Sequence, residues 1–499
     1  MDAIPHSPFT IFSSCTSWFQ FSLIPGDEII ERERVLKPAR NLTEGSIFRS
    51  VIHLGIPTIA ISLLQSGFNL VDMFFVGKLG PSALAAVTIS GIVIALLITI
   101  AVGISIGTLS LVARFWGAKS YRQAAYVVGQ SFYISLLLSI FFGFGGWFAA
   151  RPLLYFLGGR GEVLELAVVY FRIISAGAWT IFIFVTFSSA LRGAGDAWTP
   201  FKIMAAGVGL NCILDPILIF GWGAIPPMGV HGSALATVFS RVVTTGIIIL
   251  MLKKDRTHLD LSGVFGRINP HLMGRIIRIG FFSSVEMLIR SLAVIGLLKI
   301  VSPFGTAALA AYGIGARIRV IAMMPGVGMG YAAGTLVGQS LGAGLPERAR
   351  KSAWLAWRLY GLLLLPVILA LLFFSGEVVG FFNREPRVLM VGRDFIGYIA
   401  VSLVFLSITL VMGKALHGAG DTRGPMVITF ISMIIMWGLA GLGSDIHGLE
   451  GVWQGILAAT ILNSLLILYW FRRGGWKRLK LVDDLVSVSP IKLREGPQK

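Results

Sequence analysis

Apolar runs long enough to cross a bilayer follow one another along almost the whole chain, and this feature excludes most folds. A hydrocarbon core takes roughly 20 apolar residues in helical form. Such runs are predicted at 48–78, 84–113, 123–150, 163–191, 199–221 and 230–252, then at 276–301, 307–337, 352–374, 388–415, 425–443 and 451–471. Only 13% of the 499 residues are charged and 55% are hydrophobic, against roughly 25% charged in soluble domains. A bilayer can accommodate that much apolar surface because the outside of the protein is then apolar too. The 60 glycines fit this setting, since small residues let membrane helices approach closely. The expected fold is all-α and integral to the membrane, with twelve transmembrane helices.

The net charge of +18 raises nucleic acid as a partner, and its distribution argues against it. The basic residues form short clusters between apolar runs, among them Arg114/Lys119/Arg122, Arg348/Arg350/Lys351 and Arg472/Arg473/Lys477/Arg478. A phosphate-tracking protein needs a soluble basic surface instead, so no nucleic-acid partner is expected. An even number of spans puts both termini on one side. That side collects roughly 25 Lys/Arg and the other roughly 7, which the positive-inside rule reads as both termini cytoplasmic in a multi-pass protein of the cell (inner) membrane. Cys15 and Cys212 are too far apart in sequence to suggest a disulfide framework or thiolate metal site. Cys212 reads as a packing residue.

The chain aligns with itself at an offset of 225 residues. Gly80-x-x-Ala83-Leu84-Ala85-Ala86 matches Gly305-x-x-Ala308-Leu309-Ala310-Ala311, Val102-Gly103 matches Val327-Gly328, and Gly117-Ala118 matches Gly342-Ala343. Leu191-Arg-Gly-Ala-Gly-Asp196-x-x-x-Pro200 matches Leu416-His-Gly-Ala-Gly-Asp421-x-x-x-Pro425. Six spans per repeat give both repeats one orientation, hence two parallel six-helix repeats about an axis along the membrane normal, with a central cleft between them. The expected organisation is a cytoplasmic tail over 1–44, a first lobe over 45–255, a cytoplasmic linker over 256–275, a second lobe over 276–475 and a basic cytoplasmic tail over 476–499. The Gly-Ala-Gly-Asp stretch lacks the lysine and the preceding strand of a phosphate loop. It reads as a helix end followed by a capped helix start.

Ionisable groups within a span are costly and call for an explanation. Asp72, Tyr170, Asn211, Asp215 and Thr237 come from four different spans of the first repeat, all at roughly 9–12 Å below one surface by helical rise. Asn211 and Asp215 share a helix face by their i, i+4 spacing. Pro216 frees the carbonyl of Cys212 as a further oxygen. Carboxylates plus neutral oxygens suit a hard cation such as Na+, with Asp72, Asn211, Asp215 and Thr237 as ligands, or a proton shared between two acids. The alternative is a set of separate helix-end polar residues solvated by the outer vestibule. The repeat-mates Leu297, Phe395, Met436 and Ala440 are apolar, so ion chemistry is expected in the first lobe alone. Glu286 lies mid-span with Arg290 one turn later, as an internal ion pair or a carboxylate facing the cleft. Pro57 is a candidate bend in the first helix. The seven histidines form no cluster, and no nucleophile–base or paired-carboxylate arrangement is legible, so no enzymatic activity is expected.

On Asn69-x-x-Asp72-x-x-Phe75-Val76-Gly77-x-Leu79-Gly80, Leu191–Pro200 and Asn211-x-x-x-Asp215-Pro216, the chain resembles the multidrug and toxin extrusion (MATE) family over about 45–475. The last motif is similar to its DinF-like branch. The resemblance implies two lobes around a V-shaped cavity and export of cationic or amphipathic drugs against an inward flow of Na+ or H+. The coupling ion is then the only cofactor-like partner, beside small organic cations and membrane lipids, in a monomer. It further implies a cation site at Asp72, Tyr170, Asn211, Asp215 and Thr237, a helix-1 bend at Pro57, and a substrate cavity to which Glu286 and Asn69 contribute. The NorM branch relies on second-lobe acids, and Glu286 lies about a turn from the expected position. A flippase for lipid-linked sugars would line its cavity with basic residues instead. The acidic layer of the first lobe, taken as cavity wall, favours the exporter. The loop Arg114–Arg122 lacks the signature of major-facilitator transporters.

Overall fold

The computed structural model describes residues 42–253, 268–479 and 481. The expected tail over residues 1–41, linker residues 254–267 and the C-terminal stretch at 480 and 482–499 lie outside the described residues. The first half contains α1 (Ile47–Gly77), α2 (Pro81–Gly117), α3 (Tyr121–Phe156), α4 (Gly161–Ala176), α5 (Ala178–Gly193), α6 (Trp198–Phe220) and α7 (Val230–Lys253). The second contains α8 (Pro270–Val301), α9 (Thr306–Gly342), α10 (Pro346–Phe373), α11 (Ser375–Phe382), α12 (Pro386–Gly418) and α13 (Arg423–Arg473).

These helices resolve into the twelve expected spans. α4 and α5 form one span, bent by 47° at Gly177. α11 is a short extension of α10. α13 is two spans, because Gly448 has φ 59° and ψ −138°, a conformation open to glycine and strained for other residues. The chain doubles back there. Gly443 and Gly451 pack against each other's carbonyls, and a Cβ on Gly455 would lie 2.6 Å from the backbone nitrogen of Ala440. Pro81/Thr306, Tyr121/Pro346, Gly161/Pro386 and Trp198/Arg423 start corresponding helices, each pair 225 residues apart. The sequence repeat is therefore a repeat of architecture. Prolines open α2, α8, α10 and α12, where the missing N–H has no helical acceptor to lose.

Three expected boundaries shift. The linker is shorter than 256–275: α8 already starts at Pro270, where the Asn269 side chain accepts the N–H of Leu272 at 3.1 Å. The end of the expected 1–44 tail is docked, since Arg348 donates to the carbonyls of Leu42, Glu44 and Gly45 and Leu42 is buried. At the other end Trp476 is buried, its ring 4.9 Å from that of Phe471. The Gly-Ala-Gly-Asp stretches are helix junctions, as read: Asp196 accepts from the N–H of Thr199 at 3.0 Å and Asp421 from that of Gly424 at 3.2 Å.

The lobes meet through α1, α2, α8, α9 and α12, in the half of the bundle nearer the chain termini. Gly117 packs on the Gln339 carbonyl, and its repeat-mate Gly342 on the Arg114 carbonyl. No Cβ fits at either place, so α2 and α9 cross backbone to backbone. The side chains of the same two residues complete a pseudo-symmetric clasp. Arg114 Nη2 donates to the Ala419 carbonyl at 3.0 Å, and Gln339 Nε2 to the Gly193 carbonyl at 2.8 Å. Each Gly-Ala-Gly-Asp junction is thus held by the opposite lobe. Nearby, Thr58 of α1 donates to the Gly328 carbonyl at 2.9 Å.

Candidate functional site

The first lobe brings the oxygen-bearing residues into one layer. Asp72 lies five residues before the end of α1 and Asp215 five before the end of α6; Tyr170 and Thr237 lie nine and seven residues into α4 and α7. All are therefore roughly 8–14 Å from the helix ends remote from the termini. Asp72, Tyr170, Asn211, Asp215 and Thr237 are all buried. The Asp72 and Asp215 carboxylates and the Tyr170 hydroxyl lie within electrostatic range of one another. Asn211 Nδ2 donates to Asp215 Oδ1 at 3.2 Å, and Ser233 Oγ to Asp72 Oδ1 at 2.7 Å. Pro216, inside α6, removes the rung that would occupy the Cys212 carbonyl.

Three oxygens in this layer have no hydrogen-bond partner: Asn211 Oδ1, Asp215 Oδ2 and Thr237 Oγ1. A buried polar atom left unpaired costs about 1–3 kcal/mol, so three acceptors in one layer favour a water, a proton or a cation there. An all-oxygen donor set suits Na+ or a proton. Two members escaped the sequence reading. Ser233 and Arg241 lie one turn before and one turn after Thr237 on α7, and Arg241 is within electrostatic range of Asp72 and Tyr170. The i±4 spacing around Thr237 was the signal for both.

Between the lobes lies a separate cavity of about 400 Å³. Its wall includes Thr58, Ser62 and Gln65 of α1, Ser188 and Arg192 of α5, and Tyr331 of α9. The expectation that the acidic layer faces this cleft is not met: none of its lining residues is acidic, because Asp72 and Asp215 point into the packed interior of the first lobe. Glu286 does not line it either. It is 5% exposed; Arg290 Nη2 holds one carboxylate oxygen at 2.7 Å and His417 Nε2 the other at 2.9 Å. The ion-pair reading of Glu286 is the one the geometry shows, and His417 is a partner that sequence distance concealed. Asn69 is exposed and is not in the cavity wall, though it lies one turn beyond Gln65 on α1. Pro57 is buried inside α1, beside the Thr58–Gly328 contact. Among the described residues no cluster of three or more His, Cys, Asp or Glu forms a metal site.

A model of the MatE family matches one segment in each lobe, residues 57–217 and 283–440. The chain is 29% identical over 450 residues to the probable multidrug resistance protein YoeA of Bacillus subtilis, covering 87% of this chain and 96% of that one. It is 26% identical over 437 residues to a FAD transporter of Shewanella oneidensis, covering 86% and 95%. A solved structure described as the outward-facing conformation of a multidrug resistance MATE family transporter superimposes with a TM-score of 0.80 at 28% identity, covering 87% of this chain and 96% of that one. Twelve spans in two repeats agree with these matches: the chain belongs to the MATE family of membrane transporters.

Proposed function

We propose that this protein is a secondary active antiporter, exporting cationic or amphipathic organic compounds in exchange for Na+ or H+ by alternating access. The observation that carries this reading is the trio of unpartnered oxygens in the first lobe, walled off from the inter-lobe cavity. An ion site and a cargo site that do not overlap can be coupled only through conformation. The ion then shifts the equilibrium by its differential affinity for the two states. The clasp at Arg114 and Gln339 closes the end of the bundle nearer the termini. Basic clusters in the loops of that end support a cytoplasmic assignment in the cell membrane, which makes this an outward-open state of a monomer embedded in lipid. The oxygen donors and their first-lobe location support the DinF-like branch. The test is efflux of a fluorescent amphiphile from proteoliposomes with Na+ and H+ gradients imposed separately. Efflux should follow one gradient and vanish in Asp72→Asn; efflux indifferent to both gradients would contradict the reading. A second reading, a flippase for lipid-linked sugars, draws on one observation: the charged side chain in the cavity wall is a basic one, Arg192.

A further inference from the structure

We propose that the inter-lobe cavity binds an anionic group of its cargo, a carboxylate, sulfonate or phosphate on an apolar body, between Arg192 and Lys414 beside the ring of Tyr331. The proposal rests on the exporter reading above and narrows its cargo to amphipathic compounds with an anionic end.

Two cations share the ring of Tyr331, a residue of the cavity wall. The Arg192 guanidinium lies 4.5 Å from the Tyr331 ring centroid and the Lys414 ammonium 5.0 Å from it. Arg192 is 9% exposed, lines the cavity, donates from Nη2 to Ser189 Oγ at 2.7 Å and keeps a buried Nε without a partner. Among the described residues the ion pairs use Glu165, Glu286 and Glu347, and none reaches Arg192 or Lys414. The ring offers each cation a partial counter-charge, weaker than a carboxylate would. A buried guanidinium without an opposite charge is costly, and a counter-ion that arrives with the cargo removes that cost.

The surroundings are built for this arrangement. The Lys414 stem lies across Gly330, where a Cβ would stand 2.9 Å from its Cγ, so α9 forgoes a side chain where the ammonium passes. On α9 the positions of Val320, Met324, Val327 and Tyr331 form one stripe along the cavity wall, and Arg317 continues it one turn toward the open end. Arg317 is exposed and lies roughly 16 Å along the helix from its start. An arginine at that depth faces a water-filled cleft, because lipid exposure there is too costly. Arg192 in the cavity wall, Lys414 beside the lining Tyr331 and Arg317 on the same α9 stripe together make a positive field that draws anions inward. The acids that could reverse it are elsewhere: Asp72 and Asp215 inside the first lobe, and Glu286 capped by Arg290 and His417. Ile61, Val102, Phe184 and Met323 supply an apolar slot for the body of the molecule.

The test compares two dyes with one xanthene frame and opposite charge, carboxyfluorescein and rhodamine 123. Binding is read by fluorescence anisotropy on the full-length protein in phosphatidylcholine nanodiscs. The anion should bind roughly tenfold more tightly than the cation, and Lys414→Gln and Arg192→Gln should each weaken it roughly tenfold. Arg192 is buried, so Arg317→Glu at an exposed position provides a variant that leaves packing alone. It should weaken the anion and strengthen the cation. Phosphatidylglycerol added to the nanodiscs separates two sources of the same chemistry. Displacement of carboxyfluorescein assigns the anionic group to a lipid phosphate, and retention assigns it to a soluble compound. Tighter binding of rhodamine 123, or anion binding that Lys414→Gln and Arg317→Glu leave unchanged, overturns the proposal. Failure of the exporter reading looks different: the anion preference persists, and neither a Na+ nor an H+ gradient moves the dye across proteoliposomes.

Discussion

Asn211 and Asp215 sit one turn apart on α6, and the amide Nδ2 of Asn211 donates to Asp215 Oδ1 at 3.2 Å. That bond fixes the orientation of both side chains and leaves Asn211 Oδ1 and Asp215 Oδ2 buried without partners. Asp72 reaches the same layer from α1, held by Ser233 of α7. Three helices are therefore tied to one polar layer, and α1 is also the helix that touches the second lobe through Thr58 and Gly328. Asp72 in the layer and Thr58 at the contact between the lobes share α1, the mechanical route that the proposed ion coupling requires.

Thr237→Val should separate ligation from packing. Valine has nearly the shape of threonine and lacks the hydroxyl. If Thr237 Oγ1 is an ion ligand left unpaired without the ion, the variant should bind Na+ roughly tenfold more weakly. Its ion-free stability should rise by about 1 kcal/mol as a buried unpaired group is removed. Thermal unfolding with and without Na+ reads both. Lower stability with unchanged ion affinity would make Thr237 a structural residue.

The clasp makes a prediction about access. In Gly117→Val the new side chain runs into the Gln339 carbonyl, so the end near the termini should not seal. Ser110 is fully buried under this seam, its Oγ 3.3 Å from the Gly418 carbonyl. Ser110→Cys, with Cys15 and Cys212 replaced by alanine, should resist a water-soluble maleimide and become reactive once Gly117→Val is added. Gln339→Ala should do the same more weakly, losing one hydrogen bond of about 1 kcal/mol.

Much of this was legible in sequence because the bilayer imposes it. Hydrocarbon thickness fixes run length, and the 225-residue offset gave the two lobes. Depth arithmetic put Asp72, Tyr170, Asn211, Asp215 and Thr237 in one layer. The clasp was not legible, because the acceptors of Arg114 and Gln339 are backbone carbonyls of the opposite lobe, which leave no pattern of residue types. The cavity's charge was misjudged for a different reason. Depth along a helix can be counted from sequence, but the face a residue turns to its neighbours cannot when apolar residues surround the helix. Asp72 and Asp215 were therefore taken for cavity wall, and Arg192, read as part of a helix junction, was not. His417 escaped because its partner Glu286 is 131 residues away.

Pro57 removes one rung from α1 beside the inter-lobe contact. Pro57→Ala should restore that rung, straighten the helix and uncouple export, leaving ion binding within about twofold of the parent. Export and Na+ binding measured on the same preparation check this. Normal coupled export in the variant would remove Pro57 from the mechanism.

Orientation is open to direct labelling. In the cysteine-free background, Ile225→Cys lies in the α6–α7 loop and Leu345→Cys between α9 and α10, at opposite ends of the bundle, and both positions are exposed. Labelling of intact cells with an impermeant maleimide should reach 225 and spare 345. The reverse would turn the protein over in the membrane and make this state inward-open.

The proposed coupling site lies in the first lobe, and Glu286 sits in a closed ion-pair network in the second. Equilibrium binding of radioactive Na+, and proton release on Na+ addition, should therefore be measured side by side on Asp215→Asn and Glu286→Gln. Asp215→Asn should lose both signals, a drop of roughly 100-fold or more in affinity, and Glu286→Gln should keep them. Ion binding that survives Asp215→Asn and disappears in Glu286→Gln would move the coupling site to the second lobe and contradict the account.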